Sequence, residues 1–346
     1  MELYEIGLTT INDISFDHCT NVNQINLTGN KINYVSTNAF SKLPGLISLV
    51  LERNLLTTLP ANVFANLLNL RFLSIGNNPY QHIPTLLFRP LENLGVLYIG
   101  DANITEINAE WFVSNSRLYE LFLQGNRIES LENSFSGLTE LMYLTLTFNR
   151  ITNIPIGSFS QLPNLRNLYL YGNNLTALND TSFPDLSHIT TLDISENPIG
   201  SINGNAFRGL NSLTSLTINS AKITQLNEDS FEGLQNLVYL SLNDNGIVDL
   251  PDNVFDPMPN LSYLNLWNNR LESVRGNSFG SVTSLRTLNM ANNELNALDR
   301  TIIDNATNLY TLYMIGNLCA NGNYDNFSLN RSEHLLALET CFANYN

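Results

Sequence analysis

Apolar residues recur along this chain at spacings of three, two and five, a pattern typical of neither a uniform strand nor a uniform helix. Residues 165–189, LRNLYLYGNNLTALNDTSFPDLSHI, show one period, L-x-x-L-x-L-x-x-N-x-I-x-x-I-x-x-x-x-F-x-x-L-x-x. The frame starts thirteen times, at intervals of 24 residues except for one of 23, where a residue is missing between Leu131 and Phe135. The starts are Val22, Leu46, Leu70, Leu94, Leu118, Leu141, Leu165, Ile189, Leu213, Leu237, Leu261, Leu285 and Leu309. Such repetition predicts a solenoid whose repeats pack mainly against their neighbours.

The positions within the period predict the structure of each repeat. The L-x-L core predicts a short strand with inward leucines, because strand side chains alternate between two faces. The asparagine in the next turn is expected to bond backbone groups that the bend leaves unpaired, forming a ladder along the stack. The asparagines are Asn30, Asn54, Asn78, Asn126, Asn149, Asn173, Asn197, Asn245, Asn269, Asn293 and Asn317. Ala102 and Ala221 interrupt the ladder, so local irregularity is expected there.

A second recurring position of the repeat holds phenylalanine and predicts a spine of stacked rings under the outer side of the solenoid. Its members are Phe40, Phe64, Phe88, Phe112, Phe135, Phe159, Phe183, Phe207, Phe231, Phe255 and Phe279. Ile303 takes this position in the following repeat. The whole pattern is identified as a leucine-rich repeat array. It implies an α/β solenoid, a horseshoe with a parallel β-sheet on its concave side and an irregular or 3-10 convex side.

The unbroken register predicts one elongated domain in three parts. These are a partial N-terminal repeat at residues 1–21, an array of about 13 units at residues 22–317 and a C-terminal cap at residues 318–346. Because the chain begins inside a repeat, without an apolar signal segment, we expect a processed or engineered fragment. No apolar run is long enough to predict a membrane span.

Aromatic residues stand where a buried stripe would not place them. The third, fifth, seventh and eighth positions of each repeat are predicted to face the concave surface. In the third to seventh repeats these positions hold Phe72, Tyr98, Phe122, Tyr143, Phe148, Tyr169 and Tyr171. A smaller group holds Tyr239, Tyr263 and Trp267. Clustered exposed rings indicate a protein-binding surface; the alternatives are packing of rings across strands and stacking on carbohydrate.

The cysteines favour an oxidising compartment. Cys319 and Cys341 flank a segment that breaks the repeat, and a disulfide between them would close the open edge of the solenoid. The alternative is two unrelated reduced thiols. The segment SEHLLALETCF predicts a short amphipathic helix with Ser332 as its N-cap. Cys19 is expected in a core position as a small apolar residue, with an intermolecular bridge as the alternative.

The formal net charge of −15, with only three lysines, argues against nucleic acid and anionic membranes as partners. High solubility is the simpler interpretation of this negative charge, and a basic binding partner is the more specific alternative. Eight asparagines lie in N-x-S/T sequences, about the number that this composition produces by chance. The predicted glycosylation sites are Asn26, Asn103, Asn174, Asn179, Asn260, Asn305, Asn326 and Asn330. Only Asn26 is predicted to lie on a strand, so the rest of the concave face would stay free of sugar.

No motif in the sequence predicts catalysis. The four histidines, His18, His82, His188 and His334, are scattered, and neither a metal-ligand spacing nor a phosphate-binding glycine loop occurs. Acidic residues lie mostly in loops, where a solvated surface is the simplest interpretation. We therefore expect no enzymatic activity, no metal and no cofactor.

The consensus resembles extracellular leucine-rich repeat ectodomains, curved solenoids that bind partners. The two-cysteine ending, GNLCANGNYDNF followed by LETCF, is similar to that of insect leucine-rich repeat proteins, including the mosquito leucine-rich immune proteins. The resemblance implies a secreted or cell-surface module in innate immunity that binds a protein through its concave face, as a monomer or as a homo- or heterodimer. The alternatives are an adhesion or matrix protein that self-associates and an intracellular scaffold.

Overall fold

The computed structural model describes residues 1–179, 182–184, 186–280 and 282–345. The chain forms two compact units, Met1–Tyr169 and Leu170–Asn346. Each unit is built of stacked repeats and is considered by itself. The predicted boundaries at residues 21 and 317 stay a prediction. No helix among the described residues is long and apolar enough to cross a lipid bilayer.

The first unit is a solenoid with a parallel sheet. Its strands are β1 Thr10–Ile11, β2 Gln24–Asn26, β3 Tyr34–Val35, β4 Ser48–Val50, β5 Phe72–Ser74, β6 Val96–Tyr98, β7 Glu120–Phe122, β8 Tyr143–Thr145 and β9 Asn167–Tyr169. Strand β2 and strands β4 to β9 pair in parallel and in chain order, while β1 pairs with β3 separately. The 23-residue repeat keeps the register, with Leu121 opposite Leu144. Its missing residue is therefore absorbed in the outer segment.

The second unit has the same design of stacked repeats. Its strands are β10 Thr191–Asp193, β11 Ser215–Thr217, β12 Tyr239–Ser241, β13 Tyr263–Asn265, β14 Ser273–Val274, β15 Thr287–Asn289, β16 Ala297–Leu298, β17 Thr311–Tyr313 and β18 Asn323–Asp325. Strands β10 to β13, β15 and β17 pair in parallel, β14 pairs with β16, and β18 closes the sheet antiparallel to β17. The helices are α1 Arg300–Asn305, α2 Arg331–Ala337 and α3 Glu339–Tyr345, and a 3-10 turn covers Gly276–Ser278. The predicted solenoid with a parallel sheet is confirmed in both units.

The core consists of stacked columns. The central strand leucines, such as Leu49, Leu73 and Leu216, are fully buried. The phenylalanine spine is also confirmed: Phe40 and Phe64 stack at 6.2 Å between ring centroids, and Phe183 and Phe207 stack at 6.5 Å. Since replacing a buried phenylalanine by alanine typically costs about 3–5 kcal/mol, this column contributes strongly to stability.

The asparagine ladder is present as predicted. In the repeat of Asn54, the side-chain NH2 donates to the carbonyl of Leu51 in its own repeat and of Leu27 in the repeat before, each at 3.0 Å. Its Oδ1 accepts from the backbone N–H of Ile32 at 3.0 Å. Each asparagine thus joins two repeats through groups that the sheet does not pair.

The two alanines in the ladder produce local irregularity, as predicted. The residues that follow them, Asn103 and Lys222, have left-handed backbone conformations, with φ of 58° and 59°. Since the alanine offers no side-chain partner, the next asparagine compensates. Asn126 Oδ1 accepts from the backbone N–H of both Ala102 and Ile104, at 2.9 and 3.0 Å.

The disulfide between Cys319 and Cys341 is confirmed, with their Cα atoms 5.0 Å apart. It ties the chain after the last repeat to helix α3, which fills the end of the core with Phe342. The predicted N-cap at Ser332 is wrong. Helix α2 begins at Arg331, so its N-cap is Asn330, two residues before Ser332, and Asn330 forms no side-chain capping bond. Arg331 is held there because its guanidinium donates to the carbonyl of Ile303 at 2.9 Å.

Cys19 differs from the prediction of a core position, because it is free and only half-buried. The corresponding Leu43 and Leu67 of later repeats are fully buried. Among the described residues, the repeat that begins at Val22 packs against residues 1–21, and the position of Cys19 stays partly open.

Candidate protein-binding face

Short strands place the candidate residues on one surface of each unit. In β6 and β7 the middle leucine is buried, while its neighbours Val96, Tyr98, Glu120 and Phe122 are half-buried and point to the other side of the sheet. We call the side chains at positions three, five, seven and eight of the repeats the strand face of each unit. The following turn bends in a left-handed conformation at position eight, for example at Arg53 with φ of 53°.

Four predicted aromatic residues form a row on the strand face of the first unit. The ring centroids of Tyr98 and Phe122 are 5.8 Å apart, those of Phe122 and Tyr143 are 5.3 Å apart, and those of Tyr143 and Tyr169 are 5.1 Å apart. All three pairs are tilted, an arrangement that aromatic quadrupoles favour. We call Tyr98, Phe122, Tyr143 and Tyr169 the ring row. Each of its rings keeps part of its surface exposed to solvent.

Small neighbours make room for the ring row. Ser74 and Thr145 occupy the fifth position of their repeats and are almost completely buried. Gly76 lies under the ring of Tyr98, where a Cβ atom would approach the Cε1 atom to 2.5 Å. The row therefore rests on a floor of short side chains rather than inside the core.

Carboxylates lie beside the rings. Burial first, and then the charges of Asp101 and Glu52, raise the pKa of the Tyr98 hydroxyl, while hydrogen bonds to Gln124 and Asn77 oppose the shift. The pKa of Tyr143 is raised by burial, then by Tyr169 and by Glu120. Both hydroxyls therefore stay protonated at neutral pH and are available as hydrogen-bond donors.

Two further residues of the predicted patch lie in the first unit. Phe72 is half-buried on β5, and no ring pair among the described residues joins it to the row. Phe148 is 55% exposed and occupies the left-handed turn position with φ of 54°. This conformation is a genuine outlier for a bulky side chain.

The remaining predicted residues lie in the second unit. Tyr171 is half-buried, and a hydrogen bond to Glu196, then burial, then the charges of Glu196 and Asp193 raise its pKa. Tyr239 and Tyr263 stack in parallel with ring centroids 4.6 Å apart. Trp267 is half-buried at the seventh position of the same repeat as Tyr263.

The predicted glycosylation sites are mostly accessible. Asn26 lies on β2 and is half-buried, with its side chain bonded to Glu2 and Thr28. Asn326 is half-buried, and the other six are exposed. Asp180 and Thr181, which complete the sequence of Asn179, lie outside the described residues.

The described residues contain no group of His, Cys, Asp or Glu that could hold a metal ion. A cavity of about 120 Å³ in the first unit lies away from the ring row and is lined by Tyr80 and Trp111. The Tyr80 hydroxyl and the Trp111 Nε1 are buried without a partner among the described residues. A cavity of this kind suits ordered water, which commonly satisfies such groups.

Sequence comparison settles the family. The sequence model described as leucine rich repeat matches residues 5–51, 20–80, 69–128, 92–151, 116–175, 139–199, 163–220, 212–267 and 259–318. The chain belongs to the leucine-rich repeat family. Leucine-rich repeat solenoids are typically non-enzymatic scaffolds for protein interaction. No curated protein matches this chain in sequence.

Solved leucine-rich repeat structures resemble it over most of its length. One from Leptospira interrogans is 26% identical with a TM-score of 0.72, covering 83% of this chain and 70% of that one. A Toll chain from the Drosophila Toll–Spatzle complex is 21% identical with a TM-score of 0.80, covering 91% of this chain and 48% of that one. The leucine-rich repeat domain of the mosquito protein APL1 is 19% identical with a TM-score of 0.74, covering 98% and 81%. The last two likenesses show the fold alone.

The carboxylates and the glycine beside the rings of this leucine-rich repeat face were not predicted from the sequence. Glu52, Asp101 and Glu120 lie at the strand-face positions of their repeats. Inspection of the third, fifth, seventh and eighth positions, which predicted the rings, would therefore also have predicted these carboxylates. The role of Gly76 could have been predicted in the same way, because it is a glycine at the seventh position and the next repeat has a tyrosine at its fifth position.

Proposed function

We propose that this protein is an extracellular recognition module that binds a protein partner through its strand face. The observation that carries the proposal is the ring row, because four aromatic side chains touch one another and still keep exposed surface. Tyrosine and phenylalanine suit this use, since they bury large areas on binding with little loss of side-chain freedom.

Phe148 adds a separate argument for binding. A left-handed conformation costs an L-residue about 1–2 kcal/mol, and most other repeats place glycine, asparagine or aspartate at this turn position. The Phe148 side chain is 55% exposed, so much of its apolar surface faces solvent. An exposed aromatic side chain at this position adds apolar surface that a protein partner would cover.

The extracellular location is supported by the Cys319–Cys341 disulfide, because such bonds persist in oxidising compartments. The immune setting is proposed from the resemblance to insect leucine-rich immune proteins. Toll, whose complex with Spatzle is described as a molecular hub in Drosophila development and innate immunity, shares the fold. On this proposal, sugars attached at the accessible asparagines leave the ring row uncovered.

The test compares two triple variants in the first unit. Tyr98→Ser, Phe122→Ser and Tyr169→Ser together remove three rings of the row. Tyr34→Ser, Leu68→Ser and Leu86→Ser together remove three exposed apolar side chains, 55%, 59% and 43% exposed, that lie off the strand face. Both proteins are used to capture partners from the extracellular fluid of the source organism, and each captured protein is then purified for affinity measurement.

We expect the ring variant to lose affinity at least about a hundredfold, as removal of interface hot spots does, and the control variant to bind like the wild type. Equal binding by all three proteins rules out the ring row as the binding surface. Circular dichroism on both variants checks that the solenoid is intact.

Self-association is the second candidate, favoured by exposed apolar residues on the C-terminal cap. Leu318, Leu329 and Leu336 are 74%, 80% and 75% exposed. If these residues join copies of the chain, light scattering will show a dimer for the wild type. The variant with serine at all three positions will then be a monomer. A monomer at high protein concentration excludes this candidate.

A further inference from the structure

The charges on the strand face of the first unit are one-sided. Counted from the repeat that begins at Val22, the strand-face positions of the first unit hold three acidic residues, Glu52, Asp101 and Glu120. They hold one basic residue, Arg53. Asp101 is exposed, and the other two acids are half-buried. The four ion pairs found among the described residues all lie in the second unit. Within the described part of the chain, no lysine or arginine therefore forms an ion pair with these three carboxylates.

The three carboxylates share their surface with the ring row. Asp101 and Glu52 both act on the hydroxyl of Tyr98, and Glu120 acts on that of Tyr143. Glu120 also stands opposite Tyr143 in the register of β7 and β8. Each negative group thus lies near a tyrosine of the ring row rather than in a separate acidic loop.

Arginine matches both features of this surface. The face of an aromatic ring attracts a cation, and a guanidinium stacks flat on it. The same guanidinium donates two parallel hydrogen bonds to a carboxylate. Glu52 already accepts a hydrogen bond from the Ser74 hydroxyl, but a neutral or acidic partner would cover all three negative charges without a cation to pair with them, which is unfavourable.

We propose that the strand face of the first unit recognises an arginine-rich protein segment, whose guanidinium groups stack on the ring row and pair with Glu52, Asp101 and Glu120. This inference rests on the proposed function, because it names the chemical class of the partner for the same face. The strand face of the second unit also combines acidic residues with aromatic rings. Its strand-face positions hold Asp193, Glu196 and Asp244, no lysine or arginine, and the stacked pair of Tyr239 and Tyr263.

The probe is a peptide of alternating glycine and arginine, about seven residues long, which is enough to cross the four strands of the ring row when extended. Its control is the same peptide with citrulline in place of arginine, which keeps a similar shape but removes the charge and replaces one NH2 group of the guanidinium with a carbonyl oxygen. Both are titrated onto the full chain by calorimetry at about 0.15 M salt. We expect the arginine peptide to bind at least about tenfold more tightly than the citrulline peptide.

Two charge variants locate the binding. Glu52→Gln, Asp101→Asn and Glu120→Gln together neutralise the strand face. Glu92→Gln, Glu110→Gln and Glu132→Gln together change the net charge equally at exposed positions elsewhere in the first unit. We expect the first variant to lose about tenfold in affinity for the arginine peptide and the second to lose less than about twofold.

The inference is overturned if the arginine peptide does not bind the wild type, if the two peptides bind equally, or if the two charge variants lose equal affinity. The last result would mean that the overall acidity of the chain attracts the peptide. None of these results touches the proposed function, which fails only if the ring variant still captures partners as the wild type does.

Discussion

The ring of Tyr98 lies directly over Gly76, the residue 22 positions before it, in the preceding repeat. A Cβ atom at position 76 would come within 2.5 Å of the Tyr98 Cε1 atom and of the carbonyl oxygen of Gly100. Tyr98, the first member of the ring row, can therefore adopt its position only because residue 76 has no side chain.

Gly76→Ala should displace Tyr98 and press on the backbone of the next repeat. We expect the free energy of unfolding in urea to fall by about 1–3 kcal/mol, the usual range for overpacking, and partner affinity to fall with it. Gly45→Ala is the matched control, because no atom lies within 4 Å of its added Cβ. A variant at position 76 as stable as the control would show that the ring moves aside freely.

Phe148→Asn should separate stability from binding. Asparagine accepts the left-handed conformation, as Asn77 and Asn268 do at the same turn position. We expect the free energy of unfolding to rise by about 1 kcal/mol because the strain at residue 148 is relieved, while partner affinity falls. Arg53→Asn relieves the same strain in another repeat without removing a ring. A loss of stability at position 148 would mean that the phenylalanine packs more firmly than its exposure indicates.

Asn126→Ala should cost more than Asn54→Ala. Asn126 supplies Oδ1 to two backbone N–H groups beside the gap at Ala102, whereas Asn54 supplies it to one. An unsatisfied buried group costs about 1–3 kcal/mol. We therefore expect the variant at position 126 to lose about 1 kcal/mol more free energy of unfolding than the variant at position 54. Equal losses in urea titrations would contradict this account of the irregular repeat.

Cys319→Ser should destabilise the cap. The disulfide closes a loop with a sequence separation of 22, so its loss is expected to lower the free energy of unfolding by about 3 kcal/mol in the chain-entropy account. Cys19→Ser should change stability by less than about 1 kcal/mol, because Cys19 is free and only half-buried. Thermal unfolding of wild type with and without reductant gives the same comparison. An unchanged melting temperature on reduction would refute the stabilising role.

Much of the candidate site was predictable because the repeat determines which side chains leave the core. Tyr98 and Phe122 share the fifth position and meet as direct neighbours on adjacent strands. The contact between Phe122 and Tyr143 was not predictable, since these residues come from different positions of the repeat and meet diagonally. Phe72 fits the same pattern and yet forms no ring pair among the described residues.

The sequence by itself determined the period, the L-x-L strand of each repeat, the buried leucine and phenylalanine columns and the asparagine ladder. It did so because a 24-residue frame brings equivalent residues together repeat after repeat. Only the tertiary structure decided which rings touch, that Gly76 makes room for Tyr98, that Asn126 compensates for Ala102, that Cys319 and Cys341 pair, and that helix α2 begins at Arg331. These features depend on side-chain rotamers and on the space between neighbouring repeats, which repeat spacing alone does not specify.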